Sequence, residues 1–199
     1  MDAGEVTRDE AIVGTRRLKS PLQRHTVRLR GHHHHQIIMD SRAEELIRSL
    51  RLEPHPEGGF YREVFRSARR VRPEDARPPR NALTVIYFLL VDGGWSRWHR
   101  VESDEAWSWV EGDALELLRM DAGLAAFTRE PLGAPAEGRE AAAVIAAGEW
   151  QAARTTGAYT LVTCTVGPGF DFADFTMLSD LPDLAEEVSR RHPEAAAFV

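Results

Sequence analysis

The chain has 199 residues and a net charge of −6, and its hydrophobic (43%) and charged (28%) fractions are ordinary for a folded globular protein. Residues 1–38 contain seven Arg or Lys and four Asp or Glu, so they carry +3 and the remainder carries −9. An acidic body argues against nucleic acid as the main partner. No run approaches about 20 apolar residues, so no membrane span is expected, and the N-terminus lacks a secretory signal pattern. The single cysteine, Cys164, excludes an internal disulfide and favours a reducing cytoplasm.

Residues 1–38 show weak periodicity and include four consecutive histidines at positions 32–35. These histidines have two interpretations, a metal-binding tract or a remnant of cloning in a non-native start, and Met39 is a candidate natural start. Four adjacent imidazoles without a scaffold do not define a metal site. We therefore predict a disordered extension over residues 1–38 and one folded domain over residues 39–199.

A helix is predicted over residues 42–50, at the start of the folded domain. Ser41 has a side chain suited to an N-cap, and Glu44 follows it at the spacing of a capping box. Apolar residues recur at helical spacing through this segment, and Pro54 prevents the helix from continuing.

Short strand patterns separated by glycine and proline turns dominate the rest of the chain. The predicted strands are residues 60–67, 82–91, 98–101, 105–110, 114–120, 125–129, 142–145 and 158–166, followed by an alternating segment at 170–178. Loops are predicted at 69–80 and 131–139, a turn at Gly148, and a short helix at 181–189. This pattern indicates an all-β sandwich or barrel, and no internal repeat or glycine-rich nucleotide-binding fingerprint is present.

The segment 99–113 resembles the first motif of the cupins, which has two histidines two residues apart, then a glutamate, then a glycine turn. His99, Glu105 and Gly112 occupy that register. Gln151, three residues after Gly148, stands where the second motif has its histidine. These positions make His99 and Glu105 the candidates for the inner wall of a cupin.

Four further segments resemble a single-domain cupin group, the fifth cupin family. They are residues 54–63 (PHPEGGFYRE), 84–90, 148–152 and 163–175, in the expected order. The resemblance implies an RmlC-like jelly-roll barrel with a short helix at each end, often dimeric through exchanged or augmented strands. It also implies kinship with sugar-nucleotide epimerases and seed storage proteins, so the fold leaves open whether this chain is an enzyme.

The donor set argues against a tightly bound metal. Val101 stands at the second histidine position of the motif and Gln151 at the third, which leaves His99 and Glu105 as weak candidate ligands. Zinc and iron sites require at least three good protein ligands. No cofactor is therefore expected, a weakly bound divalent metal remains open, and dioxygenase chemistry is the least favoured reaction.

Three residues are candidates for proton transfer. His99 is the candidate base, Tyr61 the acid, and Glu105 the carboxylate that orients His99. The alternative is a structural histidine held in the wall by a hydrogen bond. Tyr61 and Glu63 share strand parity as possible acid–base partners, whereas ion pairs between nearby arginines and acids are the other interpretation of this strand.

Seven further residues are predicted to bind the ligand: His55, Glu57, Glu63, Trp107, Trp109, Gln151 and Asp171. Trp107 and Trp109 share the parity of Glu105, so they either stack on a sugar ring or fill the core. Cys164 is expected to be a small buried residue rather than a nucleophile.

Together these observations predict a pocket for a small polar, carbohydrate-like molecule, with non-redox epimerase or isomerase activity. A non-catalytic binding or sensing cupin is the alternative. Because a single jelly roll has edge strands to protect, we expect a homodimer, with residues 60–67 as the candidate interface strand.

Overall fold

The computed structural model describes residues 39–199, so the predictions made for residues 1–38 lie outside the described part of the chain. Helix α1 is Ser41–Ser49 and helix α2 is Pro182–Arg191. Strands β1 to β13 are, in chain order, Glu53–Pro54, Phe60–Arg66, Arg70–Val71, Arg80–Asn81, Thr84–Val91, Trp95–Val101, Asp104–Gly112, Leu115–Met120, Phe127–Leu132, Ala142–Ile145, Trp150–Thr155, Tyr159–Gly167 and Phe175–Met177. Short 3-10 turns occupy Phe172–Asp174, Leu178–Asp180 and Pro193–Phe198.

The strands form two main antiparallel sheets and a small hairpin. The large sheet has the order β1-β2-β5-β12-β7-β10, the second has the order β13-β6-β11-β8-β9, and β3 pairs with β4. The prediction of an all-β jelly roll with a short helix at each end is confirmed. The two sheets of this jelly roll are separate and pack as a sandwich rather than closing into one continuous sheet.

Alternation along the strands builds the core between the two sheets. Inward residues include Phe88 on β5, Trp107 on β7, Leu117 on β8 and Val162 on β12, all at most 1% exposed. Because successive side chains of a strand point to opposite faces, the same strands also present outward apolar residues that need a cover.

The helices cover these outer faces. Leu46 of α1 packs with Leu89 and Leu161 on the outside of the large sheet. Val188 of α2 packs with Trp98 on the outside of the second sheet. No helix within residues 39–199 has the length and apolarity needed to cross a membrane.

The N-cap of α1 is one residue earlier than predicted. Asp40, not Ser41, accepts hydrogen bonds from the backbone N–H groups of Arg42 (2.8 Å) and Ala43 (3.2 Å). Aspartate caps a helix as well as serine does, and its carboxylate also suits the positive end of the helix dipole.

Strand β11 was missed by the sequence pattern, which indicated only a turn at Gly148. It lies between β6 and β8 and is buried on both sides apart from Arg154. A strand buried on both faces lacks the alternation that marks a half-exposed one, and its two alanines are poor strand formers. The alternating segment 170–178 is also shorter than expected, since only Phe175–Met177 is a strand.

Candidate functional site

A cavity of about 290 Å³ opens between the sheets. Seven of the ten residues predicted from sequence line it: His55, Glu57, Tyr61, Glu63, His99, Glu105 and Asp171. Its remaining walls include Val101, Cys164 and a group of phenylalanines. The sequence therefore identified a set of residues that the fold brings together.

The loop between β1 and β2 holds His55 and Glu57 against the second sheet. The N–H of His55 donates to the carbonyl of Gly59 (2.9 Å), and the N–H of Arg97 donates to the carbonyl of Glu57 (2.7 Å). Gly58 has a φ of +107° and leaves no room for a β-carbon, which would overlap the carbonyl oxygen of Trp95. Glycine is required there for the loop to approach β6 this closely.

His99 is fixed in one tautomer by the backbone. Its Nδ1 lies 2.8 Å from the carbonyl oxygen of Arg97, and because a carbonyl only accepts, Nδ1 carries the proton. Nε2 lies 3.1 Å from Oε2 of Glu57. Glu105 makes no hydrogen bond to His99 in the described structure. This corrects the predicted orienting role of Glu105, which passes to Glu57 and the Arg97 carbonyl.

Burial keeps the Glu57–His99 pair uncharged at neutral pH. Burial raises the pKa of Glu57 to about 8 from its ordinary 4.5, and burial also lowers the pKa of His99. The Glu57 carboxyl therefore holds the proton and donates it to Nε2 of His99. The pair shares one proton between two basic atoms.

Glu105 is held by a chain of hydrogen bonds from the core. Trp107 Nε1 donates to Oε1 of Gln151 (2.7 Å), and Gln151 Nε2 donates to Oε2 of Glu105 (2.6 Å). Burial raises the pKa of Glu105. The thiol of Cys164 lies beside Glu105, and burial raises its pKa well above the usual value, so it is the small buried residue that was expected.

Three predicted ligand-binding residues do not line the cavity: Trp107, Trp109 and Gln151. Trp107 is 1% exposed, and Trp109 packs against the same core cluster. Both point inward as their parity predicted, but Trp107 is fully buried in the core, and the half-buried Trp109 packs against the same cluster outside the cavity lining. Trp107 and Gln151 act instead through Glu105.

His55 is the second imidazole of the cavity. Its Nδ1 accepts the backbone N–H of Glu57 (3.2 Å), so the proton of the neutral ring lies on Nε2. Burial, followed by the nearby His99, lowers the pKa of His55 to about 3. Its Nε2–H has no protein partner within residues 39–199, and it is available to a ligand.

Glu63 and Arg66 form an ion pair at the mouth. Nε and Nη2 of Arg66 donate to the two carboxylate oxygens of Glu63, at 2.7 and 3.0 Å. The ion-pair interpretation of this strand therefore applies, and Glu63 is committed to Arg66 rather than to Tyr61. Tyr61 lines the cavity beside His55, at 4.5 Å between ring centroids.

A cover of three phenylalanines lies over the cavity. Phe172 is 5.0 Å from Phe170 and 5.9 Å from Phe175 between ring centroids, and Phe175 is 5.4 Å from His99. Phe172 is 53% exposed, so it marks the solvent side of this cover.

Asp174, which lies between Phe172 and Phe175 in the chain, is held by two arginines. Both arginines belong to residues 69–80, which the sequence predicted to be an exposed loop. Both carboxylate oxygens of Asp174 accept from Arg80, each at 2.8 Å, and Arg77 adds a third hydrogen bond at 3.1 Å. Arg80 leads these contacts in lowering the pKa of Asp174. The arginine-rich composition of residues 69–80 suggested solvent exposure and concealed this contact, because no short-range pattern links it to Asp174.

The donors do not fit a cupin metal site. Val101 lines the wall without a lone pair, and both polar atoms of Gln151 are used by Trp107 and Glu105. Within residues 39–199, no group of three His, Cys, Asp or Glu side chains is arranged to hold a metal ion. Of the four ligand positions in the cupin motifs, only His99 and Glu105 carry a donor that is free to bind a metal, which is fewer than zinc or iron sites use.

Two antiparallel sheets around an interior cavity, with His99 and Glu105 at the motif positions of the inner wall, define a cupin-type jelly roll. The chain belongs to the family described as Cupin superfamily (DUF985), which matches residues 44–178.

Two solved structures resemble it along nearly their whole length. A hypothetical protein from Leishmania major is 32% identical, with 79% of this chain and 96% of that chain covered and a TM-score of 0.69. A protein from Shewanella oneidensis is 31% identical, with 79% and 94% covered and a TM-score of 0.67. A search of curated proteins found no significant match.

Proposed function

We propose that this cupin binds a small polar, carbohydrate-like molecule in its cavity and moves a proton on it without redox chemistry, as an epimerase or isomerase does. The Glu57–His99 pair carries this proposal. It is buried, lies on the cavity wall, and has Nε2 of His99 and Oε2 of Glu57 at hydrogen-bond distance, 3.1 Å apart. Proton-transfer groups are favoured where burial shifts the pKa values of paired groups.

The chemistry balances as a proton transfer at a carbon beside a carbonyl. The carbon–hydrogen bond breaks, the other carboxyl oxygen of Glu57 accepts the proton, and Oε2 passes its own proton to Nε2 of His99, leaving an imidazolium beside a neutral carboxyl. The electron pair moves to the carbonyl oxygen, where the free Nε2–H of His55 donates a hydrogen bond. Tyr61, whose hydroxyl has no protein partner within residues 39–199, returns a proton to the carbon, after which solvent reprotonates the tyrosinate and takes the extra proton from the Glu57–His99 pair.

A metal is not part of this proposal. The negative charge that develops on the ligand is offset by the imidazolium of His99 and by the Nε2–H of His55. The non-ligating Val101 and the committed Gln151 support chemistry without a tightly held transition metal.

A non-catalytic binding cupin is the second candidate. Glu63 is paired with Arg66 and Glu105 with Gln151, so much of the polar lining is already satisfied by protein partners. A cavity whose polar groups are already hydrogen-bonded within the protein can recognise a ligand without reacting with it.

Deuterium exchange separates the two candidates. Metabolites that raise the melting temperature of the protein in a thermal-shift screen are incubated with it in heavy water and analysed by mass spectrometry. An isomerase places deuterium on a ligand carbon, and we expect His99→Ala to slow this exchange by about 10²- to 10⁴-fold because it removes the base. Exchange in excess chelator is expected to continue.

The matched control is His192→Ala, which removes a half-buried imidazole outside the cavity lining and should leave exchange unchanged. Ligands that stabilise the protein but never exchange would establish the binding protein instead. Exchange that stops in chelator and returns with added metal would contradict the metal-free proposal.

We also propose that the chain is a homodimer through the outer face of its large sheet. One uncharged row crosses five strands in register: Phe65, Val85, Thr165, Ala106 and Val144. Phe65 is 51% and Val144 55% exposed. In a two-fold dimer, the same surface of each copy contacts the other. Because this row carries no charge, two acidic chains can pack against each other there without bringing like charges together.

Val144→Glu should convert this dimer to a monomer, because each copy then presents a carboxylate to the same face of the other. Light scattering at micromolar concentration measures the change. Leu181→Glu is the control, since it places the same charge at an exposed leucine at the start of α2, away from that row. A monomeric wild type would refute the proposal.

A further inference from the structure

The charge balance of the cavity is one-sided. Four carboxyl groups line it, from Glu57, Glu63, Glu105 and Asp171. Arg66 is the one arginine or lysine among the lining residues. The sign of the charge that the cavity accepts therefore depends on whether Arg66 is free.

Arg66 is held by the protein through most of its N–H groups. Its Nε and Nη2 bind Glu63, and its Nη1 donates to Oδ1 of Asn81 (3.1 Å) and to the carbonyl of Phe170 (3.0 Å). Four of its five N–H groups are thus used, and its charge is offset by Glu63. An anionic ligand would have to break a bidentate ion pair to reach a cation.

The two histidines do not supply a positive charge either. Burial lowers the pKa of both rings, and it lowers that of His55 to about 3. His55 contributes a hydrogen-bond donor instead: its side chain is 6% exposed, and its unpartnered Nε2–H is available to an oxygen of the ligand.

The aromatic cover is compatible with a cation. Phe170, Phe172 and Phe175 stand edge to face, with 5.0 to 5.9 Å between centroids, so ring faces as well as edges are turned toward their neighbours. Ring faces attract ammonium groups, and the attraction increases where water is excluded. Phe172, which is 53% exposed, has open ring surface for such a contact, so the aromatic lining does not oppose the preference for positive charge that the carboxylates set.

We propose that the ligand of this cavity is a small polyhydroxylated molecule that carries a protonated amine, and that the cavity discriminates against anions. This inference rests on the proposed use of the cavity and names the class of its ligand. The exposed Asp171 provides the counter-charge, and the free Nε2–H of His55 binds a ligand oxygen.

Three probes of one shape and different charge test it: glucosamine, glucose and glucuronate, titrated into the full chain by calorimetry and thermal shift at neutral pH. Glucosamine is expected to bind about tenfold more tightly than glucose, and glucuronate more weakly than glucose. Equal binding of glucose and glucosamine, or tighter binding of glucuronate, overturns the inference and leaves the proposed carbohydrate pocket standing. Binding of none of the three overturns both.

Asp171→Asn locates the counter-charge. Oδ1 of Asp171 accepts the backbone N–H of Ala173 (2.8 Å), and asparagine keeps that hydrogen bond while removing the charge. The control is Asp104→Asn, whose Oδ1 accepts the N–H of Ala147 (2.9 Å) outside the cavity lining. We expect the preference for glucosamine to fall by about threefold or more in Asp171→Asn alone. An unchanged preference in that variant overturns the assignment.

Discussion

Gly58→Ala is expected to lower the free energy of unfolding by about 3 kcal/mol or more and to displace Glu57 from His99. Two costs add: an L-residue at a φ of +107° is strained by about 1–2 kcal/mol, and the new β-carbon overlaps the carbonyl oxygen of Trp95. Since that carbonyl is backbone in β6, the loop has to move away from the strand. Urea denaturation measures the loss, and it should be accompanied by loss of ligand binding.

Gly93→Ala is the matched control. Gly93 also has a positive φ, +66°, but a β-carbon there has no neighbour within 4 Å. Only the conformational cost remains, about 1 kcal/mol, and the cavity should be intact. If both variants lost the same free energy of unfolding, the close approach of the loop to β6 would contribute nothing to stability.

Glu57→Gln is expected to remove a loss of stability that the wild type suffers as the pH rises from 4.5 to about 8. The folded-state pKa of Glu57 is raised to about 8 from 4.5, so its contribution is fully present below pH 4.5 and is lost as the pH rises toward 8. Glutamine has no proton to lose, and its amide N–H still donates to Nε2 of His99. The variant should therefore gain stability relative to the wild type between pH 4.5 and 8, by up to about 5 kcal/mol.

Below neutral pH, stability is lost for a different reason, the protonation of a buried histidine. His55 has a folded-state pKa lowered to about 3 from 6.5, so its contribution is present above pH 6.5 and is lost as the pH falls toward 3. Glu57→Gln should leave this acid limb in place.

The measurement is urea denaturation of wild type and variant across this pH range, with the exposed substitution Glu53→Gln as control. A constant difference between Glu57→Gln and wild type at every pH would show that the Glu57 carboxyl is ionised in the folded protein.

Parity was the most informative feature of the sequence. Period-two alternation correctly placed Glu105, Trp107 and Trp109 on the inner side of one strand. Parity gives the face of a sheet but not the depth along it, so it did not distinguish the cavity wall at Glu105 from the core at Trp107. How deep a side chain lies in the sandwich depends on how the second sheet packs against it, and the sequence of one strand does not contain that information.

The contacts of loops were the least predictable part. The Glu57–His99 pair joins a glycine turn to a strand, and the two residues are 42 positions apart in the chain. The turn brings Glu57 to His99 because Gly58 has a positive φ, and the spacing of residues in the motif does not contain that information. The sequence suggested Glu105 as the partner of His99 because the motif places the two side by side. Hydrogen-bond geometry, which the spacing does not contain, assigned that position to Glu57.

The anchor at Asp174 has a consequence for the order of folding. Its partner Arg80 is 94 residues away in the chain, so the contact pays a large loop-closure entropy and forms only when distant segments have already docked. The hairpins of the sheets can pair before that point, but the phenylalanine cover cannot be placed. A partly folded chain therefore has strands and no finished pocket, and ligand binding reports the last step of folding rather than the first.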